Sequence, residues 1–228
     1  MRAAFLGAAS AWYLANLDAA QTPALWEVVR RGSLERTAEA LARGDRLRGM
    51  GEAAEAENLL RFHLAQEAAV VASIGRFAEP PPAVRQGAAA FLAELKGLAG
   101  LNVGAGLAPA RAGTSPAPTK TAARDLIYRR AADPKGAMGG FGYDYFQDHI
   151  AKQGIAAPAL LQRTGLWGAG GDYAYEALNL VDGRRTVGEI RDALAAIYGP
   201  LPLAEVAEYL GDLAKIGVLQ GKESPHAP

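Results

Sequence analysis

The chain has 228 residues, half of them hydrophobic, with 24 basic and 24 acidic side chains and a formal net charge of zero. That length accommodates one large domain or two small ones with real cores, and the charge balance excludes a global field steering nucleic acid or acidic lipid toward it. With no cysteine, disulfide staples and thiolate metal sites are excluded, while the compartment stays open.

Met1-Arg2 followed by the mostly apolar run Ala3 to Leu17 has the outline of a signal peptide. Alanine is only weakly hydrophobic, and Trp12-Tyr13-Leu14-Ala15-Asn16 departs from a leucine-rich run, so a folded helix is expected. The run is also short for a membrane span. Thr22 in the N-cap position and Pro23 in the first turn open a second helix, with Leu25, Val28 and Val29 on one face, interrupted at Gly32 and Gly44 and running to about Met50. Glu52 to Ile74 reads as a long amphipathic helix with Leu59, Leu60, Phe62, His63, Val70 and Val71 inward and His63 structural. Arg43, Arg46 and Arg48 form a solvated basic face offset by Glu39, Asp45 and Glu52. Pro80-Pro81-Pro82 is a stiff break before a fourth helix, Ala83 to Leu98, which packs through Phe91, Leu92 and Leu95. Trp12, Tyr13 and Trp26 are expected as core anchors of this helical unit, residues 1–98.

From Gly97 to about Thr121 the composition shifts to Gly, Ala, Pro, Ser and Thr. Such a stretch buries too little apolar surface to offset chain entropy, so 99–122 is expected to be a disordered linker or insertion. Residues 123–171 form a connecting segment, expected to pack between two helical units, with order resuming at Asp125 to Tyr128 and a short helix over Tyr143 to Ile150. Asp144, Asp148 and His149 fall near one face of that helix, too few ligands for a metal site and read as solvated surface. Gly136, Gly139, Gly140 and Gly142 are read as a flexible loop, because no apolar strand precedes them and Lys135-Gly136 reverses the order of a phosphate-binding loop.

Residues 172–223 read as a small module of three helices with a wing. Ala174, Leu178 and Val181 share a helical face that Asp182-Gly183 ends, glycine taking the left-handed conformation without steric cost. Thr186 and Glu189 form a capping box for a second stripe of Val187, Ile190, Leu194 and Ile197. After Gly199-Pro200-Leu201-Pro202, a third stripe of Leu203, Val206, Leu210, Leu213 and Ile216 closes at Gly217, and Val218-Leu219 supplies a wing strand. Between Asp172 and Glu223, nine acids minus five bases leave an excess of four negative charges. Glu205, Glu208 and Asp212 on the third helix are expected to face solvent, the wrong sign for DNA, and no nucleic-acid-binding residue is assigned.

Four stretches carry a resemblance: Ala9 to Asp18, Phe141 to Phe146, Leu161 to Trp167 and, above all, Tyr175 to Ile190. Together they resemble the region downstream of the catalytic domain in bacterial zinc aminopeptidases of the aminopeptidase Y type. That family has an α/β catalytic domain with two zinc ions held by His, Asp and Glu ligands and a glutamate general base. This chain has three histidines, His63, His149 and His226, none followed two residues later by aspartate as the first zinc motif requires. The resemblance therefore implies an accessory part, a truncated or split gene product, with no catalytic residue, metal site or cofactor of its own. Leu180 to Val187 is separately similar to the pyrroloquinoline-quinone peptide chaperone, a small winged-helix peptide binder. The expected fold is mainly α, an N-terminal helical unit plus a small C-terminal winged-helix-like domain. The expected partner is a protein or peptide, including a separately encoded peptidase domain, with Tyr175, Arg184 and Arg185 as candidate partner-binding residues.

Overall fold

The structure, a computed structural model, describes residues 2–100, 123–133, 138–140 and 143–222. The chain divides into two compact units, Met1–Ala108 and Pro109–Pro228. The fold is mainly α, and no helix among the described residues is long and apolar enough to cross a membrane. The linker expected over 99–122 lies almost wholly outside the described residues, as do Lys135, Gly136, Phe141, Gly142 and His226.

Unit 1 consists of α1 (Arg2–Ala15), α2 (Thr22–Gly49), α3 (Ala53–Ser73) with a 3-10 turn over Ile74–Arg76, and α4 (Pro82–Leu98). Leu47, Leu59, Leu60, Leu64, Ile74, Phe91 and Leu95 are buried in it, and Trp26 meets Phe91 edge-on at 5.6 Å. Trp12 and Tyr13 are not core anchors, being 70% and 38% exposed. An alanine-rich helix has little apolar area to gain by docking, and Leu17, beyond the end of α1, is the buried residue there. Thr22 does not cap α2. Gln21 holds that position, and the Thr22 hydroxyl donates to Ala19 O at 2.8 Å.

Neither Gly32 nor Gly44 interrupts α2. Its buried positions are Thr22, Trp26, Ser33, Thr37, Ala40, Gly44 and Leu47, spaced by threes and fours, so the seam against α3 is made of small and polar residues. At Gly44 an added Cβ would lie 3.5 Å from Leu60 Cδ1, ordinary contact distance, so the two helices pack closely there. Across this seam α3 presents a carboxylate, Glu67, that is 2% exposed. Its Oε2 accepts from Ser33 Oγ at 2.5 Å and from Arg36 Nη2 at 2.8 Å, and its Oε1 accepts from Arg36 Nε at 2.7 Å. His63 completes the cluster, its Nε2 2.9 Å from Thr37 Oγ1 and its Nδ1 3.9 Å from Glu67 Oε1.

Unit 2 contains β1 (Ile127–Arg130), β2 (Gly139–Gly140), β3 (Tyr143–Asp144), α5 (Tyr145–Lys152), a 3-10 turn over Ala159–Gln162, α6 (Gly170–Asn179), α7 (Val187–Tyr198), α8 (Leu203–Lys215) and β4 (Leu219–Lys222). The capping box of α7 is formed as the sequence implies: Glu189 N donates to Thr186 Oγ1 and Thr186 N to Glu189 Oε2. Val187, Ile190, Leu194, Val206, Leu210 and Leu213 are fully buried between the helices. The strand after α8 pairs antiparallel with β1, Tyr128 opposite Gly221 and Arg130 opposite Leu219, and Ile127 also bridges to Thr186 at the start of α7. Tyr128, Phe146, Ile150 and Leu160 share one core with Tyr173, Ile190 and Leu210, so 123–171 supplies part of this unit's own core.

Two of the expected details change. Helix α6 ends at Asn179 with Leu180 as its cap, three residues before Gly183. Gly183 has φ of 77°, but it serves the turn that follows, where its N–H donates to Tyr128 O at 3.1 Å. Asp212 is 3% exposed rather than solvent-facing, because Lys215 Nζ folds over it and donates to Oδ1 at 2.7 Å.

Burial pushes the His63 imidazole below its ordinary 6.5, Glu67 opposing this. The Glu67 carboxyl sits below its ordinary 4.5 because the donors Arg36 and Ser33 outweigh the burial that opposes them. For both groups the unfolded chain binds protons more readily than the folded one, so stability is full above the unfolded values and falls with acid. Unit 1 is therefore expected to lose stability as pH drops below 6.5, and again through the carboxylate range below 4.5. Denaturant melts of His63→Gln should lack the first decline and keep the second. In the turn of unit 2, Gly183→Val should cost about 1–3 kcal/mol because valine is strained at positive φ. Arg184→Ala on the same turn should shift stability by no more than about 0.5 kcal/mol, and thermal melts of the two variants check the contrast.

Candidate functional site

Unit 2 carries a cleft of about 430 Å³ where β1, the β2–β3 hairpin, α5, α6 and α8 converge. Its walls are Met138, Phe146, Leu161, Ala174 and Leu178, its polar groups come from Arg130, Asp144, Asn179 and Tyr209, and Tyr175 stands at its rim, 69% exposed.

Local chemistry places each wall. Asp144 caps α5, its Oδ1 accepting from Gln147 N at 3.0 Å, and this fixes Phe146 in the first turn, where its ring lies 5.2 Å from that of Tyr209. One turn on, His149 stacks on Tyr145 at 3.7 Å, and its Nδ1 lies 2.8 Å from Tyr145 O. Asp144, Asp148 and His149 are thus surface and capping residues, and among the described residues no group of three His, Cys, Asp or Glu side chains is gathered for a metal ion.

The α6 wall is held by close backbone packing. Asp172 Oδ2 accepts from Ala169 N at 2.8 Å at the start of the helix. A Cβ on Gly170 would sit 2.2 Å from Leu161 O, so only glycine lets α6 approach the 3-10 turn that carries Leu161. The fully buried Tyr173 donates its hydroxyl to Tyr198 O at 2.8 Å, tying α6 to the end of α7. Arg163 grips Glu205 of α8 with both its Nε and Nη2, holding that turn against the third helix.

Tyr209 of α8 is 4% exposed, and among the described residues no group pairs with its hydroxyl. Burial, reinforced by Asp144 and opposed by Arg130, pushes this phenol up to about 12. It is therefore a protonated donor at the floor of the cleft. Asp144 is exposed and stands at the edge. Arg130 is half-buried.

Of the three candidate partner-binding residues, the structure places Tyr175 at the cleft and the two arginines elsewhere. Arg184 and Arg185 belong to the turn between α6 and α7, where both backbone N–H groups donate to Asp182 Oδ1. These two bonds hold the Asp182 carboxyl below its ordinary range against partial burial. Arg185 also donates to Asp182 Oδ2 at 3.0 Å, so part of its charge is spent inside the turn. Tyr209 and Asp144 as cleft residues escape sequence reasoning. Tyr209 lies beside the third apolar stripe without being one of its residues, and Asp144 reads as an exposed helix acid.

Unit 1 carries a second groove of about 380 Å³, lined by Val71, Ile74, Pro80, Val84 and Leu92. Its two charged groups, Glu79 and Arg85, pair with each other at 2.7 Å, which leaves it mainly apolar. The cleft of unit 2 is the better candidate site because it combines apolar walls with a hydroxyl that no described residue pairs.

Comparison of the chain with protein families, with curated proteins and with solved structures gives no match.

Proposed function

We propose that this chain is a non-catalytic binding protein, the accessory part of a zinc aminopeptidase-like system, and that unit 2 holds a segment of a catalytic domain or a peptide in its cleft. The observation that supports this reading is the cleft itself: apolar walls from α5, α6 and the 3-10 turn between them, an exposed aromatic at Tyr175 and the hydroxyl of Tyr209. Exposed aromatics beside an apolar recess are the usual anchors of protein and peptide recognition.

A second reading, an independent winged-helix-like peptide-binding module, draws support from the ladder Thr186–β1–β4. Three helices closed by strands in that order suit a winged-helix-like arrangement. Nucleic acid fits neither reading, since α8 carries Glu205, Glu208 and Asp212 against the single base Lys215, the wrong sign for phosphate.

A pull-down with the tagged full chain tests the proposal. A protein identified as a zinc peptidase should be retained, and Tyr175→Ala, a change at an exposed side chain, should weaken its retention without lowering the melting temperature. Enrichment of short peptides in place of a peptidase selects the second reading. Retention of neither, or retention indifferent to Tyr175→Ala, overturns both. Purified chain with added zinc should also hydrolyse no aminoacyl anilide, because activation of water requires a preformed ligand set. Turnover that is removed by a chelator and that tracks the protein through purification would contradict this.

A further inference from the structure

The reading of the cleft as a binding site leaves open which chemistry it takes, and three features of its lining narrow the answer. The first is the Tyr209 hydroxyl. It belongs to a side chain that is 4% exposed and lines the cleft, its oxygen keeps a solvent-accessible face, and no described residue bonds to it. A phenol so largely enclosed, with no protein partner, bonds to water or to a ligand. Its high affinity for its own proton makes it a donor, so what it lacks is an acceptor such as a peptide carbonyl.

The second feature is the Asp144 carboxylate. Its Oδ1 is committed to Gln147 N, and no bond from the described residues falls on Oδ2. It is exposed at the edge while the phenol lies at the floor, so a cation that meets it must reach outward from a ligand seated deeper in the cleft. The long stems of lysine and arginine do this, whereas an α-ammonium, bonded directly to the Cα that carries the seated side chain, would be held near the floor. Arg130 also lines the cleft, and residues 123–223 carry thirteen acids against eleven bases, so the preference for a cation rests on Asp144 and not on the surrounding charge.

The third feature is the apolar wall of Phe146, Leu161 and Leu178, which has nothing to offer a polar side chain. A volume of about 430 Å³ holds more than one residue.

We infer that the cleft binds an extended peptide segment in which an apolar side chain is followed by a lysine or arginine: the apolar side chain lies on Phe146, Leu161 and Leu178, a backbone carbonyl accepts from Tyr209 Oη, and the cation reaches Asp144 Oδ2. This rests on the reading of the cleft as a peptide or segment site and adds its specificity.

The test uses the full chain and four synthetic peptides, titrated by calorimetry. Acetyl-Gly-Leu-Lys-Gly-Gly-amide should bind about tenfold tighter than its Leu-Glu counterpart, the difference one charge-assisted contact makes. The corresponding Leu-Gln peptide should fall between them. Asp144→Asn keeps the helix cap, since asparagine caps as well as aspartate, and it should erase the preference for lysine. Tyr209→Phe should weaken both the Lys and Gln peptides by a similar factor while its melting temperature holds, because the lost hydroxyl has no partner in the free protein. The fourth peptide is the Leu-Glu sequence with a free amino terminus. If it binds as tightly as the Leu-Lys peptide, the cleft takes a chain end and the inference is overturned. Equal binding of the Lys and Glu peptides, lost in Tyr175→Ala, also overturns it but leaves the cleft a binding site. No binding of any peptide overturns the inference; retention of a zinc peptidase in the pull-down would then show that the broader reading survives.

Discussion

The pairing of β1 with β4 is the constraint on which unit 2 depends. Three amphipathic helices bury their stripes against one another, but the chain leaving α8 as Val218-Leu219 is buried as well, and its backbone groups need partners. Those partners come from far upstream. Ala131 N donates to Val218 O at 2.9 Å, and Arg129 reaches Gln220 across 91 residues of sequence. The same strand bridges to Thr186, so a short segment fixes both the start of α7 and the strand that follows α8. Once β1 is placed, Tyr128 enters the core and Arg130 comes to the cleft.

In unit 1 the corresponding constraint is polar. Moving a carboxylate out of water costs several kcal/mol, and close pairing with further hydrogen bonds is needed to offset it. Glu67 has a bidentate arginine and a serine hydroxyl, yet Arg36 stays half in water, its side chain 48% exposed. The ion pair is therefore screened on one side, and its net contribution to stability is small. Its larger effect is on register. A slide of α3 along α2 toward Ala40 and Gly44 would take the carboxylate away from Ser33 and Arg36, whereas an all-apolar seam of small residues would tolerate several offsets.

This contrast explains what the sequence made legible. The Thr186–Glu189 box was readable because a cap satisfies backbone groups within one turn, and the stripes of α7 and α8 were readable because each buries large aliphatic residues at helical spacing. The seam of α2 was not. Its buried positions are mainly threonine, serine, alanine and glycine, which carry no hydropathy signal, and Ser33 meets Glu67 only after a helix reversal 34 residues long. His63 reads as a lone structural histidine, and the Thr37 and Glu67 groups that give it surroundings are likewise supplied by tertiary packing. The exposure of Trp12 and the burial of Asp212 run against the usual preferences of those residue types, and neither follows from local sequence. The cleft was the least legible feature, because its floor comes from α8, its edge from the cap of α5 and its rim from α6.

The way the cleft is held bears on the recognition proposed for it. Its α6 wall is fixed by the close approach of Gly170 to Leu161 O, by the Tyr173 hydroxyl on Tyr198 O and by the Arg163–Glu205 grip. Each of these is made within unit 2 and ties the wall at a separate point. A wall set in advance costs a ligand little in ordering the protein, so affinity falls chiefly on how well the ligand meets the groups already in place. Discrimination then comes from the polar ones. An apolar wall separates side chains that differ by one methylene only weakly, whereas a ligand that displaces water from the Tyr209 hydroxyl and offers it no acceptor leaves a donor unpaired, and that penalty is the larger of the two.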